Sequence, residues 1–486
     1  MITDSQKRRI CPLSSMITYG TGSCSESLVL NAIFGFAMMY YTDALGLSPF
    51  LAGIAMAVAA LWDAFTDPVM GHVSDNTRSR YGRRHPYVLV GGLLMIATFF
   101  FVWYVPGVFK GNTVSLFLYL VVMNLLVRTG YTIFSIPYTA LGFEICTDYN
   151  GRTKLQGVRF GMNMAANLCG PALAWTVFFS NNEPVRATNV ADNYVLMGTF
   201  FSLAALVFVL FVVFSTLKYI QDSREMKLTG NSLKAFFIDM KEIITDVYPR
   251  WVFAFLLVVV LGVVLVSNLQ MYVFEHFMVF SGPQKTVAHG GTMVGAGLGA
   301  LIASAMTRRF DKKGTVFIGG FMSVFGELML AVLFLPAIIN PGQTFHIAGF
   351  GIPIACIVFS FFHTFYWLGW GIMLTVATSM IADVSEINEI KTGINKDGSY
   401  AAMFTFTLKF AMSLGVFISG NCLSMIGFQA GAEHGQAPEV IWRLCAVMLL
   451  AGPLISFTAL GLMMKYPVTK TFVEKMREER NAQGAE

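Results

Sequence analysis

Long apolar runs, separated by short polar and charged stretches, make up most of this chain of 486 residues. Many of the runs approach or exceed the roughly 20 residues with which an α-helix crosses the hydrocarbon core of a bilayer. The pattern therefore predicts an all-α integral membrane protein with twelve transmembrane helices. The predicted helices cover residues 19–42, 49–71, 87–107, 114–144, 157–180, 194–217, 251–280, 286–307, 315–338, 347–381, 400–426 and 439–464.

The longest interior polar stretch, residues 218–250, divides these helices into two sets of six. The predicted domains are a six-helix half over residues 1–217, this cytoplasmic linker, a second six-helix half over residues 251–464, and a cytoplasmic tail over residues 465–486. Within the linker, residues 233–244 form an amphipathic segment, which we expect to lie along the membrane surface.

Two loops at matching positions in the halves, residues 71–84 and 308–314, are both short, basic and glycine-containing. Such a correspondence indicates a duplicated six-helix unit. Twelve helices arranged as six plus six predict the major facilitator fold, in which a solute site lies between the halves near the bilayer midplane.

Charged residues make up 13% of the chain and hydrophobic residues 55%, whereas about 25% of an ordinary soluble protein is charged. Of the 33 lysines and arginines, only Lys110, Arg186 and Lys285 fall in the predicted outer loops when both termini are placed inside. Basic residues accumulate in the cytoplasmic loops of membrane proteins, so this distribution predicts cytoplasmic termini.

Composition also argues against other classes of function. The seven cysteines are scattered, without the spacing of a metal site or a redox motif. The sequence shows no basic and aromatic cluster of the kind that binds nucleic acid. It also shows no combination of a nucleophile, a base and an orienting group that would indicate an enzyme. We therefore expect neither nucleic-acid binding nor an enzymatic activity.

Two aspartates, Asp63 and Asp67, lie inside the second predicted helix. Residues four apart face the same side of a helix, and an ionised carboxylate at bilayer depth is costly unless a partner compensates its charge. The pair therefore predicts a site for a cation or a proton, to which Thr66 adds a hydroxyl. The alternative is a structural salt bridge with a basic side chain.

Basic side chains also occur in the predicted helices. Lys409 lies well inside the eleventh, where it either pairs with a carboxylate or extends to the interface. Arg159 opens the fifth and is either an interfacial anchor or a donor fork in a cavity, suited to sugar hydroxyls or a carboxylate. Arg128, Tyr131 and Ser135 recur at near-helical spacing in the fourth and indicate a polar cavity stripe, although Arg128 equally suits a nearby carboxylate.

Aromatic residues surround Trp367 in the tenth predicted helix, where they either pack together or form a wall on which a solute ring stacks. The loop after the second predicted helix carries Asp75, Arg78 and Arg84. These three residues either form cytoplasmic ion pairs that latch an outward-facing state, or belong to a solvated basic run. Glu144, near the inner end of the fourth helix, is expected to make a structural ion pair.

Several local motifs resemble those of one transporter family, the glycoside–pentoside–hexuronide:cation symporters of the major facilitator superfamily, to which the melibiose permease belongs. The resemblance is strong over roughly the first 160 residues and around residues 380–430. It implies a symporter that imports a sugar or sugar derivative together with sodium or protons. The motifs are residues 40–43, 62–71, 78–84 and 131–137, with Arg159 and Lys409.

The resemblance also implies roles for particular residues. It assigns Asp63, Asp67 and Thr132 to the cation site, with Thr66 in place of an asparagine, and it places Lys409 near these carboxylates in a charge cluster that joins the halves. Arg159 would face the solute cavity. The solute-site candidates are completed by Tyr131, Trp367 and the residues discussed next.

Ser27 and Ser135 stand where the melibiose permease has two sugar-binding aspartates. A hydroxyl does not reproduce the two acceptor oxygens of a carboxylate, so we expect a solute other than a melibiose-like galactoside, with a uronide favoured. Glu26, beside Ser27, opposes an anionic solute unless a basic residue pairs with it.

Two alternatives remain open at this point. Sodium-coupled carriers of amphipathic lipids such as lysophospholipids share the fold and the paired aspartates, and a membrane receptor or scaffold could retain the fold without transport. We expect a monomer in the plasma (inner) membrane, with no cofactor beyond a coupling ion, sodium or a proton.

Overall fold

The computed structural model describes residues 12–145, 149–179, 187–220, 233–341, 343–347, 350–393, 396–432 and 435–468, together with 471–472, 475–476 and 478. The chain divides into two compact units, Met1–Asn231 and Ser232–Glu486. The division falls within the predicted linker.

The described elements of the N-terminal unit are all helices, joined by short non-helical loops. Its α-helices are α1 (Leu13–Ala32), α2 (Pro49–Asp75), α3 (His85–Trp103), α4 (Gly107–Lys110), α5 (Thr113–Ile145), α6 (Tyr149–Leu173) and α7 (Ala191–Thr216). Turns of π-helix follow α1 at Ile33–Ala37 and Tyr40–Ala44 and follow α6 at Ala174–Phe178, and 3₁₀ turns occupy Ala187–Asn189 and Leu217–Tyr219.

The described residues of the C-terminal unit form six α-helices and one hairpin. The helices are α8 (Leu233–Thr245), α9 (Val247–Tyr272), α10 (Gly282–Phe334), α11 (Ile354–Thr392), α12 (Asp397–Met425) and α13 (Pro438–Met464), with a π-helical turn, Val273–Phe277, after α9. Strands β1 (Thr344–Ile347) and β2 (Phe350–Pro353) pair in antiparallel register. The predicted amphipathic segment is thus helical, as α8.

The hairpin corrects one predicted boundary. The tenth transmembrane helix was expected from residue 347, but its helix begins at Ile354, after β2. Pro353 has no backbone N–H to donate to a helix, and Gly351 is a poor helix former, so these residues favour the strand and the helix starts immediately after the proline.

Within the described ranges, nine helices are long and apolar enough to cross a membrane. Neither α1 nor α6 is among them, because both carry many polar residues. Those residues contact each other: Ser27 Oγ in α1 donates to the Asn163 carbonyl in α6 at 3.1 Å. The nearly all-helical fold is therefore confirmed, while the number of twelve transmembrane helices stays a prediction.

Helix α10 contains the predicted eighth and ninth transmembrane helices. It has 53 residues, and Asp311 within it has a non-helical backbone conformation (φ 59°, ψ 170°). At about 1.5 Å per residue, a helix of this length is more than twice as long as the hydrocarbon core is thick. The change of direction at Asp311 falls in the basic loop predicted between these two helices.

Helices α3 and α5 approach each other backbone to backbone. A Cβ atom on Gly91 would lie 2.5 Å from the backbone nitrogen of Phe134, and one on Gly130 would lie 2.5 Å from that of Met95. Real side chains do not tolerate such distances, so glycine is required at both positions. This contact fixes the part of α5 that carries the polar residues described below.

Replacing Gly130 with alanine should lower the thermal stability of the purified protein, because the added methyl group forces α3 and α5 apart and overpacking costs about 1–3 kcal/mol. Gly157→Ala is the matched control, since a Cβ there meets no atom within 4 Å and alanine is the better helix former. Equal unfolding temperatures for the two variants would contradict this account of the α3–α5 contact.

Candidate functional site

Asp63 in α2 forms a buried ion pair with Arg128 in α5. Asp63 Oδ2 accepts from Arg128 Nη1 at 2.9 Å, and the side chains are 2% and 6% exposed. The guanidinium also lies over the ring of Phe34, 4.9 Å from its centroid. The structure therefore gives Asp63 the basic partner that the sequence left as an alternative, and Arg128 the carboxylate that was its alternative to a cavity role.

One helical turn further along, Asp67 lies among hydroxyl groups. Thr132 Oγ1 donates to Asp67 Oδ1 at 2.8 Å, and Thr66 Oγ1 lies 3.4 Å from Thr132 Oγ1. Thr66 Oγ1 also donates to the Trp62 carbonyl at 3.1 Å. Three of the residues predicted for the cation site thus form one oxygen-rich group, and oxygen ligands of this kind suit a hard cation.

Helix α2 continues through Pro68, immediately after Asp67. Proline has no N–H, so the carbonyl of Ala64 cannot make the usual helical bond to residue 68. A carbonyl that lacks its helical donor lies on the turn between Asp63 and Asp67.

A second polar group joins α1 to α6. Arg159 Nε donates to Ser23 Oγ at 3.1 Å, and its Nη2 donates to Glu26 Oε2 at 3.4 Å. The guanidinium also lies 5.1 Å from the centre of the Tyr138 ring. Glu26 is 4% exposed, so its charge is inside the unit and is balanced there by Arg159.

The remaining N-terminal solute candidates lie close to this pair. Ser135 is beside both the Glu26 carboxylate and the Tyr131 hydroxyl. Ser27 Oγ accepts from Asn31 Nδ2 at 2.8 Å in addition to donating to Asn163. The Arg159–Glu26 pair has no net charge. Its ability to bind an anionic solute therefore depends on the guanidinium N–H donors that do not bond to Glu26.

In the C-terminal unit, Trp367 belongs to a buried polar cluster that the sequence analysis did not identify. Its indole Nε1 donates to His363 Nε2 at 3.1 Å, and the Gln270 Oε1 atom lies 2.9 Å from the same imidazole nitrogen. His363 Nδ1 lies 2.8 Å from Glu327 Oε1, and both of these side chains are 0% exposed. The sequence feature that points to this cluster is Glu327, a carboxylate inside a predicted apolar helix.

The residues of the loop after α2 form ion pairs within the N-terminal unit. Arg84 is bonded to Asp75 and lies 3.3 Å from Glu144, while Arg83 Nε donates to Glu144 at 2.8 Å. Arg78 is exposed. These bonds connect the end of α2, the start of α3 and the end of α5; a role for Asp75, Arg78 and Arg84 as a conformational latch stays a prediction.

Lys409 lies in α12 and is partly buried. The charge cluster predicted for it includes Asp63 and Asp67, which belong to the N-terminal unit. That cluster also stays a prediction.

Comparisons with known proteins agree with the fold. The model of the family described as MFS/sugar transport protein matches residues 18–470. The chain is 24% identical over 480 residues to the glucuronide carrier protein homolog of Escherichia coli K12, with 96% of this chain and 95% of that protein covered. It is 23% identical over 495 residues to the sodium-dependent lysophosphatidylcholine symporter 1 of Xenopus tropicalis, with 96% of this chain and 89% of that protein covered.

The crystal structure of the nucleoside transporter NupG superposes with a TM-score of 0.62 at 13% identity, covering 94% of this chain and 99% of that chain. The two proteins therefore share a fold.

Removing the imidazole from the Glu327–His363 contact should destabilise the protein strongly. His363→Leu leaves the buried Glu327 carboxyl group without its basic neighbour, and breaking a buried pair costs about 3–5 kcal/mol where the pair is charged. Glu327→Gln should cost less, because a neutral amide needs no counter-charge. Thermal unfolding of both variants in detergent checks the order, and an equal, small loss in the two would show that the contact carries no charge interaction.

Proposed function

Because this chain belongs to the MFS/sugar transport protein family, we propose that it is a secondary active symporter which couples entry of a cation to uptake of a sugar or sugar derivative. The resemblance to glycoside–pentoside–hexuronide symporters is confirmed by the family match and by the glucuronide carrier homolog among its relatives. We further propose that it acts in the inner membrane with both termini in the cytoplasm, by alternating access.

The observation that carries this proposal is the oxygen-rich group around Asp67. A buried carboxylate and two neighbouring hydroxyls, one turn from the Asp63–Arg128 pair, provide oxygen ligands of the types that a monovalent cation binds. Binding of a cation at this group changes the charge of the site, so the cation-loaded protein has a different preference among conformations from the empty one. That difference is what couples the ion to the solute.

Sodium is the favoured coupling ion. Thr132 and Thr66 supply neutral hydroxyl oxygens beside the carboxylate, and hard cations bind such oxygen sets. A relative of this chain is also named as sodium-dependent. A proton would need only the carboxylate.

A uronide or a related sugar derivative is the favoured solute class. Arg159 offers the fork geometry that suits a carboxylate or two vicinal oxygens, and Glu26, which would oppose an anion, is paired with it. A relative is named as a glucuronide carrier homolog. The competing hypothesis of a lysophospholipid solute has its support in the lysophosphatidylcholine symporter relative.

Asp67→Asn should abolish sodium-driven accumulation of solute. A loss of about 1.4 kcal/mol or more of binding free energy at this site corresponds to a decrease of at least about tenfold. Uptake of a radiolabelled glucuronide into proteoliposomes, with a sodium gradient at fixed membrane potential and pH, measures this effect. Asp192→Asn is the control, because Asp192 is an exposed aspartate in the first turn of α7. If the Asp67→Asn variant still accumulates solute in response to sodium, the proposed cation site is wrong. If uptake by the unaltered protein does not respond to sodium but depends on a pH gradient, the coupling ion is a proton.

Binding of a uronide should depend on Arg159. We expect Arg159→Gln to weaken glucuronide binding about tenfold or more, as loss of a charge-assisted bidentate contact does, and to affect a neutral glucoside less. Isothermal titration of the purified protein with galactosides, glucosides, xylosides, uronides and lysophosphatidylcholine, with and without sodium, measures the preference. Tight galactoside binding enhanced by sodium would contradict the inference that Ser27 and Ser135 exclude a melibiose-like galactoside. Sodium-enhanced binding of lysophosphatidylcholine alone would favour the lipid alternative. Failure of every solute to exchange in counterflow would indicate a receptor or scaffold.

A further inference from the structure

The buried cluster around His363 in the C-terminal unit contains two hydrogen bonds that cannot form at the same time. The Gln270 Oε1 atom lies 2.9 Å from His363 Nε2, and the Trp367 indole Nε1 lies 3.1 Å from the same nitrogen. An amide oxygen only accepts and an indole N–H only donates. His363 Nε2 is therefore bonded to Gln270 when it carries a hydrogen and to Trp367 when it does not.

Glu327 of α10 lies at the other nitrogen of the same imidazole. Its Oε1 atom makes an ion-pair contact with His363 Nδ1 at 2.8 Å, and both side chains are 0% exposed. Neither carboxylate oxygen is aligned for a hydrogen bond with a described residue. An anionic carboxylate is costly in such surroundings, and a positive charge on the adjacent ring lowers that cost. We propose that His363, with Glu327 as its counter-ion, is a proton-binding site of the C-terminal unit.

Protonation of His363 decides whether its ring is bonded to α9. In the neutral ring the single hydrogen belongs on Nδ1, beside the Glu327 carboxylate, and Nε2 accepts from Trp367, four residues further along α11. The added proton goes to Nε2, which then donates to Gln270 of α9 in a charge-assisted hydrogen bond. Loading the site thus ties α11 to α9, and unloading it returns the bond to Trp367 within α11.

Other titratable side chains lie near the pair. His289 of α10 is close to His363, and Tyr366 of α11 and Cys445 of α13 are close to Glu327. Tyrosine and cysteine side chains are ordinarily neutral near neutral pH, so within this set the negative charge belongs to Glu327. A second proton on His289 would be repelled by one on His363, and the cluster therefore takes up one proton at a time.

The site lies in a different unit from the proposed cation group on α2 and α5, and sodium has no part in it. Its ligand is a proton, taken from water and returned to it, with no covalent chemistry beyond that transfer. The inference therefore goes beyond the proposed function, because it gives the C-terminal unit an ion site of its own.

NMR spectra of isotope-labelled histidine and tryptophan side chains test the assignment, using the full-length protein in detergent, in potassium buffer without sodium or solute. The His363 signal is identified by its loss in His363→Gln. Between about pH 9 and pH 5 it should change from a neutral ring with hydrogen on Nδ1 to an imidazolium, and the Trp367 indole signal should shift with the same midpoint. Glu327→Gln should lower this midpoint by about one pH unit or more, because the anion that favours the imidazolium is gone.

Glu439→Gln is the matched control, since Glu439 is an 85% exposed glutamate in the first turn of α13, and it should leave the midpoint unchanged. A His363 ring that keeps one protonation form over the whole range would show a purely structural contact and overturn the proposal. A midpoint that does not fall in Glu327→Gln would also overturn it, because Glu327 would then not be the counter-ion.

If His363→Gln does not fold, Trp367→Phe identifies the indole signal, and the titration of that signal gives the midpoint instead. Because the measurement contains neither sodium nor solute, its result is independent of the symport assays. Failure of the proposed function and failure of this inference are therefore distinguished.

Discussion

The cost of an uncompensated charge in an apolar interior is the constraint on which the rest of this structure depends. In each unit, two buried acidic groups of the described residues lie next to a basic group. Asp63 lies against Arg128, Glu26 against Arg159, Glu275 against Lys285 and Glu327 against His363. In the proposed mechanism the coupling cation takes part in satisfying this rule at Asp67, beside the Thr132 hydroxyl.

The helical architecture was predictable because hydrophobic run length is a strong signal at membrane dimensions. The signal failed at particular residues for physical reasons. Helices α1 and α6 carry many polar residues, so run length is a weak signal there; these polar side chains contact one another, as Arg159 does with Ser23 and Glu26. The hairpin before α11 was missed because residues 347–353 are apolar enough for a membrane helix, and only Gly351 and Pro353 argue against one.

Sequence reasoning identified the residue types of the candidate site better than their partners. Asp63, Asp67, Thr66 and Thr132 were all named, and the structure brings them together on α2 and α5. The sequence could not decide whether Arg128 faces a cavity or pairs with a carboxylate. Helical periodicity gives the face on which a residue lies, but not the residue opposite it. Glu327 was overlooked for a related reason: its partner His363 lies on another helix, and nothing in the local sequence joins the two.

The glycine contact between α3 and α5 bears on the ion selectivity of the proposed cation site. Gly130 lies between Arg128 and Thr132 on α5, and its backbone is pressed against that of Met95. The stretch of α5 that carries both side chains is therefore anchored to α3 without an intervening layer of flexible side chains. A binding site built on such a backbone has little freedom to widen around a larger guest. Discrimination between lithium, sodium and potassium would then depend on ionic radius, with the cost of admitting a larger ion borne by the helix contact and not by a pliable loop.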